Sequence, residues 1–214
     1  MCFYSKLSKK AEEIESKLKA KFKDKTSFVP QDEIKAFDFP KLPVITSEEQ
    51  QIINFFQWGL IPEFSNNDEI KKFTLNAKIE TITTKPSFQL YTSNRCLIPA
   101  DGFYEWQWLD EKGKKKDKYL ISLADDELFC FAGIYCSWQN PIDHQKLDTF
   151  TLLTTEANEL MSKIHNSKKR MPVVLTSKNQ KNWLNGENLE DFKKPEVNLI
   201  ATKLNKENQQ YSLF

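Results

Sequence analysis

Short runs of β-branched and aromatic residues recur along the chain from residue 44 to residue 201, separated by polar and turn-forming residues. Runs of this length and composition are typical of strands. Many short strands with few helices between them indicate a sheet that closes on itself or folds over. The predicted strands are Val44–Ile45, Ile52–Trp58, Arg95–Ile98, Gly102–Trp108, Tyr119–Leu123, Leu128–Tyr135, Phe150–Leu153, Val173–Leu175 and Asn198–Ala201.

A few helical patterns accompany these strands. Apolar residues recur at spacings of three and four from Leu7 to Phe22, which predicts one amphipathic helix there. Residues 24–43 contain three prolines among polar residues and predict an irregular connection. Further helices are predicted at Ala77–Thr84, at Glu156–Ile164 with Thr154 or Thr155 as its cap, and at Lys178–Leu184.

The organisation of the chain is simple. Its 214 residues suit one domain spanning residues 1–214, with enough length to bury a substantial core. The lysine-rich stretch Glu111–Lys118 contains Gly113 and predicts a hairpin loop. The polar residues 203–214 predict a mobile C-terminal tail.

Charge and cysteine usage narrow the class of protein. The 31 Lys and Arg nearly cancel the 30 Asp and Glu, so any binding of a polyanion depends on local patches of charge. The four cysteines lack CxxC or zinc-ligand spacing and predict free thiols in a reducing cytosol, with no metal site. No signal peptide and no membrane-spanning run is predicted. The four cysteines are Cys2, Cys96, Cys130 and Cys136.

Cys2 is the first candidate for chemistry. Removal of Met1 would leave a cysteine that carries both a free α-amine and a thiol. An α-amine titrates near pH ~8, so a useful fraction is neutral and can attack an aldehyde to form an imine. The thiol can then close on the imine carbon and give a five-membered thiazolidine. Taken alone, a cysteine at position 2 is more often incidental.

Six further segments occur in an order that resembles the SRAP family, the SOS response-associated proteins. The resemblance covers most of the chain from Cys2 to Leu175. It implies an α+β single domain on a mainly antiparallel, barrel-like or folded-over sheet with a few peripheral helices. The segments are QWGLIP (57–62), LNAKIET (75–81), RCLIPADGFYEW (95–106), FAGIY (131–135), TLLTTEAN (151–158) and RMPVVL (170–175).

The resemblance also implies four catalytic residues. Cys2 is the nucleophile that cross-links to an abasic site in single-stranded DNA, and Asn76 holds its α-amine. Glu105 is the acid/base carboxylate, and the aromatic residues around it predict an apolar environment that raises its pKa. His165, one of only two histidines, assists by protonating the sugar oxygen or stabilising the opened aldehyde.

DNA contacts are expected around this site. Lysines and an arginine near His165 can contact phosphates, and tryptophans can stack on bases. Charged runs are more often simply solvated, and Trp58 suits the core as well as a stacking surface. The candidate DNA-binding residues are Trp58, Lys78, Trp106, Lys168, Lys169 and Arg170.

The chain departs from the family pattern at three places. The usual opening Met-Cys-Gly-Arg is replaced by Phe3 and Tyr4 after Cys2, and Lys78 replaces the arginine of an Asn-Ala-Arg motif, which loses bidentate phosphate recognition. Four residues separate His165 from Arg170, where one is usual.

Three functions stay open from the sequence. The first is a cofactor-free DNA-repair protein with lyase-like chemistry, cytoplasmic and associated with the nucleoid when it acts on DNA. The second is a thiol peptidase, which would remove Met1 autocatalytically and would need His165 beside the thiol and an oxyanion hole. The third is non-covalent binding of single-stranded DNA. A monomer is expected, and no motif indicates a protein partner.

Overall fold

The computed structural model describes residues 2–204, apart from the side chain of Asp125. Strands dominate this part of the chain. They are β1 (Tyr4–Leu7), β2 (Lys21–Phe22), β3 (Gln31–Lys35), β4 (Lys41–Thr46), β5 (Ile52–Trp58), β6 (Asn76–Lys78), β7 (Arg95–Ala100), β8 (Gly102–Trp108), β9 (Lys116–Leu123), β10 (Phe129–Gln139), β11 (Lys146–Glu156), β12 (Arg170–Pro172), β13 (Val174–Leu175) and β14 (Leu199–Leu204). The α-helices are α1 (Ala11–Leu18), α2 (Glu159–Ile164) and α3 (Gln180–Leu184).

Five strands close into a barrel. β11, β10, β7, β4 and β5 pair in that order, and β5 returns to β11 through a parallel pairing of Gln57 with Thr149 and Trp58 with Phe150. The other pairings in this ring are antiparallel. Closure removes the exposed edges that an open sheet would present. The α+β class with a mainly antiparallel, barrel-like sheet and a few helices is confirmed.

A second sheet carries the N-terminal segment. Its order is β14-β9-β8-β1-β3, and β1 lies between β8 and β3 with antiparallel pairing on both sides. Asp101, at the corner between β7 and β8, accepts hydrogen bonds from the backbone N–H groups of Ser8 (2.7 Å) and Lys9 (3.0 Å). These bonds fix the end of β1 against the barrel, and so they fix the position of the residues that precede it.

The predicted N-terminal helix is three separate elements. Leu7 ends β1 and Phe22 lies in β2, so only the middle of the apolar pattern is helical. Lys19 adopts a left-handed conformation (φ 54°) that ends α1. Long-range strand pairing therefore overrides the helical spacing at both ends.

Other local predictions also change. Ala77–Thr84, predicted as a helix, begins in β6 and continues in turns, because β6 pairs with β11. The cap of α2 is Asn158, whose side chain accepts from the N–H of Met161, and not Thr154 or Thr155. The region 24–43 contains β3 and the start of β4.

The β8–β9 loop, the C-terminal segment and the cysteines were also the subject of predictions. The hairpin loop predicted around Gly113 is confirmed and joins β8 to β9. Of the predicted tail, Lys203 and Leu204 belong to β14, and residues 205–214 lie outside the described residues. All four cysteines are buried free thiols.

Candidate active site

Cys2 is fully buried at the start of the second sheet. Its Sγ lies 3.5 Å from the backbone oxygen of Tyr4, to which the thiol donates. Burial raises the pKa of the Cys2 thiol well above its usual range, and the charge of Glu105 raises it further. The thiol is therefore protonated in the resting protein, unlike the low-pKa thiolate of an activated cysteine nucleophile.

Asn76 lies beside Cys2 at the start of β6. Its Nδ2 donates a hydrogen bond of 3.0 Å to the carbonyl oxygen of Cys2. The other amide atom, Oδ1, is buried and has no hydrogen-bond partner in the described part of the chain. A buried acceptor without a donor costs free energy, and this one belongs to the side chain that is hydrogen-bonded to Cys2.

Glu105 lies in the middle of β8 and is 4% exposed. Burial raises the pKa of this carboxyl to about 7, while the positive charge of the amino terminus of the chain lowers it. A carboxyl with this pKa can both give and take a proton near neutral pH.

His165 follows directly after α2 and is 6% exposed. Its Nδ1 lies 2.7 Å from the backbone oxygen of Arg170 and 3.3 Å from the backbone nitrogen of the same residue. The shorter contact favours a proton on Nδ1, which leaves Nε2 as the acceptor of the neutral ring. Burial lowers the pKa of His165, as does the positive amino terminus, so the ring is neutral at pH 7.

The longer loop after His165 closes compactly. The N–H of Lys169 donates to the oxygen of His165 at 2.8 Å, and Lys169 adopts a left-handed conformation (φ 49°). Asn166 bonds to the backbone of Trp108 in β8, and Gln107 donates to the oxygen of Lys163. The insertion therefore keeps His165 against the strand that carries Glu105.

An open cleft of about 240 Å³ is lined by Glu105 and His165, whereas Cys2 and Asn76 are not among its lining residues. Aromatic rings and cationic side chains form its walls, while Glu105 and His165 form its polar part. Tyr4 and Trp106 meet edge to face in it, with ring centroids 4.7 Å apart. The lining residues are Phe3, Tyr4, Glu105, Trp106, Trp108, Lys116, His165, Ser167 and Lys168.

The predicted DNA-binding residues divide into two groups. Trp106 and Lys168 line the cleft, while Lys169 and Lys78 are exposed but do not line it. Trp58 does not belong with them, because it is 1% exposed, its Nε1 donates to the oxygen of Leu75 at 2.7 Å, and its ring stacks on Phe150. Trp58 is a core residue.

Arg170 also differs from its prediction. It is 8% exposed, and its guanidinium pairs with Glu80 through two contacts of 2.8 and 2.9 Å. A further bond joins Nη2 to the oxygen of Thr154 at 2.7 Å. With these contacts the guanidinium is committed to the protein, so Arg170 is not a free phosphate ligand in this structure.

Several lining residues were missed from the sequence. Phe3 and Tyr4 were noted only as departures from the family opening, and Lys116 and Ser167 as parts of polar segments. Trp108 was not missed, because it is one of the tryptophans expected to stack on bases, and strand alternation places it on the same face of β8 as Trp106.

A family model described as "SOS response associated peptidase (SRAP)" matches residues 1–211. The chain belongs to the SRAP family. The SRAP match covers all four proposed catalytic residues and the whole of both sheets.

Curated SRAP relatives share the sequence over a large part of the chain. "Abasic site processing protein YoqW" of Bacillus subtilis is 43% identical over 148 residues, which are 69% of this chain and 63% of the relative. "Abasic site processing protein HMCES" of Gallus gallus is 32% identical over 149 residues, 59% of this chain and 43% of the relative. The chain thus spans less than two thirds of the length of these relatives.

Solved structures share the SRAP fold. A protein from Bacteroides thetaiotaomicron superposes with a TM-score of 0.87 at 32% identity and covers 96% of this chain and 93% of its own. A protein from Bordetella bronchiseptica has a TM-score of 0.79 at 23% identity, covering 95% of this chain and 100% of its own, and shows the fold alone. Between residues 2 and 204, none of the helices is long and apolar enough to span a membrane.

Proposed function

We propose that this protein recognises abasic sites in single-stranded DNA and forms a covalent thiazolidine with them through Cys2 after Met1 is removed. The observation that carries the proposal is the proximity of four groups. Glu105, with a pKa of about 7, and a neutral His165 line the cleft, while the buried Cys2 lies close enough to Glu105 for that charge to raise the pKa of its thiol, and Asn76 is hydrogen-bonded to Cys2. The names of the curated relatives, abasic site processing proteins, support the same substrate.

The proposed reaction begins at the α-amine. Asn76 Oδ1 would accept a hydrogen bond from the amine of the processed chain and orient its lone pair towards the C1′ aldehyde of the opened sugar. Glu105, protonated for about half of the time near pH 7, would give a proton to the ring oxygen as the sugar opens. His165 Nε2 would accept a hydrogen bond from the same hydroxyl.

The bond changes balance without a cofactor. Glu105 recovers a proton from the C1′ hydroxyl as the sugar opens. The amine adds to the aldehyde to give a carbinolamine, whose hydroxyl is protonated by Glu105 and leaves as water, and the nitrogen then returns a proton to Glu105 to give the imine. Cys2 Sγ adds to the imine carbon while its proton passes to the nitrogen. One C–N and one C–S bond form for each water that is lost, and closure of the thiazolidine removes the imine from which a lyase reaction would eliminate the DNA strand.

The state of the thiol favours this order of steps. A protonated Sγ does not compete with the amine for the aldehyde, and it supplies the proton that the imine nitrogen needs. A thiol peptidase would need a thiolate paired with His165, but the raised pKa of Cys2 works against that pairing. Cross-linking is therefore the better-supported reaction of Cys2.

The test uses a single-stranded oligonucleotide with one abasic site, after intact-mass analysis of the protein has established that Cys2 is N-terminal. The wild type should give a slow band on a denaturing gel, with the mass of protein plus DNA less one water. Cys2→Ala should give no stable band, and Cys2→Ser should give an imine that persists only after reduction with borohydride. An undamaged oligonucleotide of the same sequence is the control.

Other outcomes would favour the other functions. If the wild type with a free Cys2 gives no band, the covalent proposal fails. Equal binding of damaged and undamaged strands by wild type and Cys2→Ala would then indicate non-covalent binding of single-stranded DNA. Retention of Met1 in Cys2→Ala alone, in the same host, would indicate autocatalytic removal of Met1.

A further inference from the structure

A second depression continues the cleft across the β8–β9 hairpin. It shares Trp106 and Lys116 with the cleft and extends over Leu109, Gly113 and the lysines that precede β9. Because Trp106 and Lys116 line both openings, a chain molecule that leaves the cleft over Trp106 reaches this depression next.

The hairpin holds its lysines in a defined place. Asp110 accepts hydrogen bonds from the backbone N–H groups of Lys114 (2.9 Å) and Lys115 (2.8 Å). Gly113 has a positive φ of 61°, and a Cβ there would lie 2.6 Å from the ring of Trp108, so only glycine lets the tip pack on that ring. The tip is therefore fixed to β8, which reduces the entropy lost when a ligand binds to it.

The charged side chains that follow these lysines are paired with other residues. Lys118 pairs with Glu33, and Asp117 pairs with Lys203. Within residues 2–204, Lys114 and Lys115 make no ion pair, and both are exposed. Two unpaired ammonium groups beside a half-buried tryptophan match the repeating phosphates and unstacked bases of a single strand.

The opposite side of the hairpin has the opposite charge. The depression beyond Trp108 contains Asp110 and Glu111 as well as Lys168. Phosphates on that side would meet carboxylates. The distribution of charge therefore selects one of the two exits from the cleft.

We propose that the single strand on one side of the abasic site leaves the cleft over Trp106 and runs along Lys114 and Lys115. The identity of the strand as DNA rests on the proposed function, while the binding surface itself does not depend on cross-linking. Because only one side of the abasic site runs along these lysines, the bound strand has a fixed 5′-to-3′ direction on the protein.

Binding of an undamaged oligothymidine, measured by fluorescence anisotropy at several salt concentrations, tests the surface. Removing two phosphate contacts should reduce the slope of log affinity against log salt by about 1.4. We expect this change for the double variant Lys114→Gln/Lys115→Gln. Lys178→Gln/Lys181→Gln removes the same charge from exposed positions outside the depression and should keep the wild-type slope.

Polarity is tested with two abasic oligonucleotides, in which the strand extends from the site in only the 5′ or only the 3′ direction. The hairpin variant should cross-link more slowly than the wild type with one of them and equally fast with the other. Equal slopes for the two double variants, or equal loss with both oligonucleotides, would overturn the proposal. If the proposed function fails, neither the wild type nor any variant would cross-link, but the salt slopes of the two double variants would still differ.

Discussion

Asn166 and Trp108 hydrogen-bond to each other in both directions. The N–H of Trp108 donates to Asn166 Oδ1 at 3.0 Å, and Asn166 Nδ2 donates to the oxygen of Trp108 at 2.9 Å. The Asn166 side chain thereby makes, at the end of β8, the two hydrogen bonds that the backbone of a neighbouring strand would make. Because Asn166 follows His165 directly, this pair of bonds sets where the histidine lies relative to Glu105.

Asn166→Ala should therefore act on the reaction through His165. We expect the cross-linking rate constant to fall about tenfold, while the affinity for undamaged single strands changes little. Looser packing should also raise the pKa of His165 towards its ordinary value, which NMR titration of the ring can measure. A variant with lower thermal stability but an unchanged ring pKa and rate would show a structural role only, and Asn182→Ala, at an exposed position, is the matched control.

Glu105→Gln should stabilise the protein and slow its reaction. The pKa of Glu105 is raised from 4.5 to about 7 on folding, so the native state holds a proton that the unfolded chain releases between these values. The contribution of this bound proton to the free energy of unfolding, about 3 kcal/mol, is fully present below pH 4.5 and is lost as pH rises through 7. Urea unfolding at pH 8 should show the variant to be more stable than the wild type.

The rate of the same variant has a distinct signature. The inflection near pH 7 that Glu105 gives to the cross-linking rate should disappear in Glu105→Gln, because the amide does not titrate. An inflection that persists would assign it to another group, such as the α-amine. Glu156→Gln, exposed at the end of β11, provides the control for removing one carboxyl.

Arg170→Ala should cost stability more than DNA affinity. It removes both contacts with Glu80 and the bond to Thr154, and it leaves a half-buried carboxylate without its partner. We expect a loss of about 2 kcal/mol in urea unfolding. Burial alone would raise the pKa of Glu80, but the hydrogen bonds from Arg170 keep that pKa below its usual value. The stabilisation by the Arg170–Glu80 pair is therefore present above the pKa of Glu80 in the unfolded chain, and it is lost as pH falls through the lower pKa of Glu80 in the folded protein.

The affinity of Arg170→Ala for single strands decides its role. Because Arg170 is paired with Glu80, we expect the variant to bind undamaged DNA as well as the wild type does, after correction for the unfolded fraction. A weaker salt dependence of binding would instead show that Arg170 contacts a phosphate.

The tryptophans of β5 and β8 should give opposite results. Trp58→Phe removes the donor to the buried oxygen of Leu75 and should cost about 2 kcal/mol of stability without changing DNA affinity. Trp106→Ala should weaken binding of single strands by about tenfold, the loss of one stacked base, with a smaller loss of stability. A loss of DNA affinity in Trp58→Phe without a loss of stability would instead show that Trp58 belongs to the binding surface.

Local pattern was informative where a segment pairs along its whole length. The bounds predicted for Gly102–Trp108 are those of β8, whose backbone pairs with β1 at one edge and with β9 at the other while its side chains alternate between the two faces. The stretch from Leu7 to Phe22 was not predicted correctly, since its apolar residues have helical spacing while both ends pair with distant strands. Periodicity alone does not distinguish these two cases.

The sequence by itself determined the class of the fold, the family and the residue types of the site, since each of these follows from composition, from strand-length patterns or from ordered motifs. Only the tertiary structure decided which of those residues are exposed. Trp58 and Arg170 have motif positions as suitable as that of Trp106, but their partners Leu75, Phe150 and Glu80 lie far along the chain. Burial and pKa depend on such distant neighbours, so they arise only when the barrel closes.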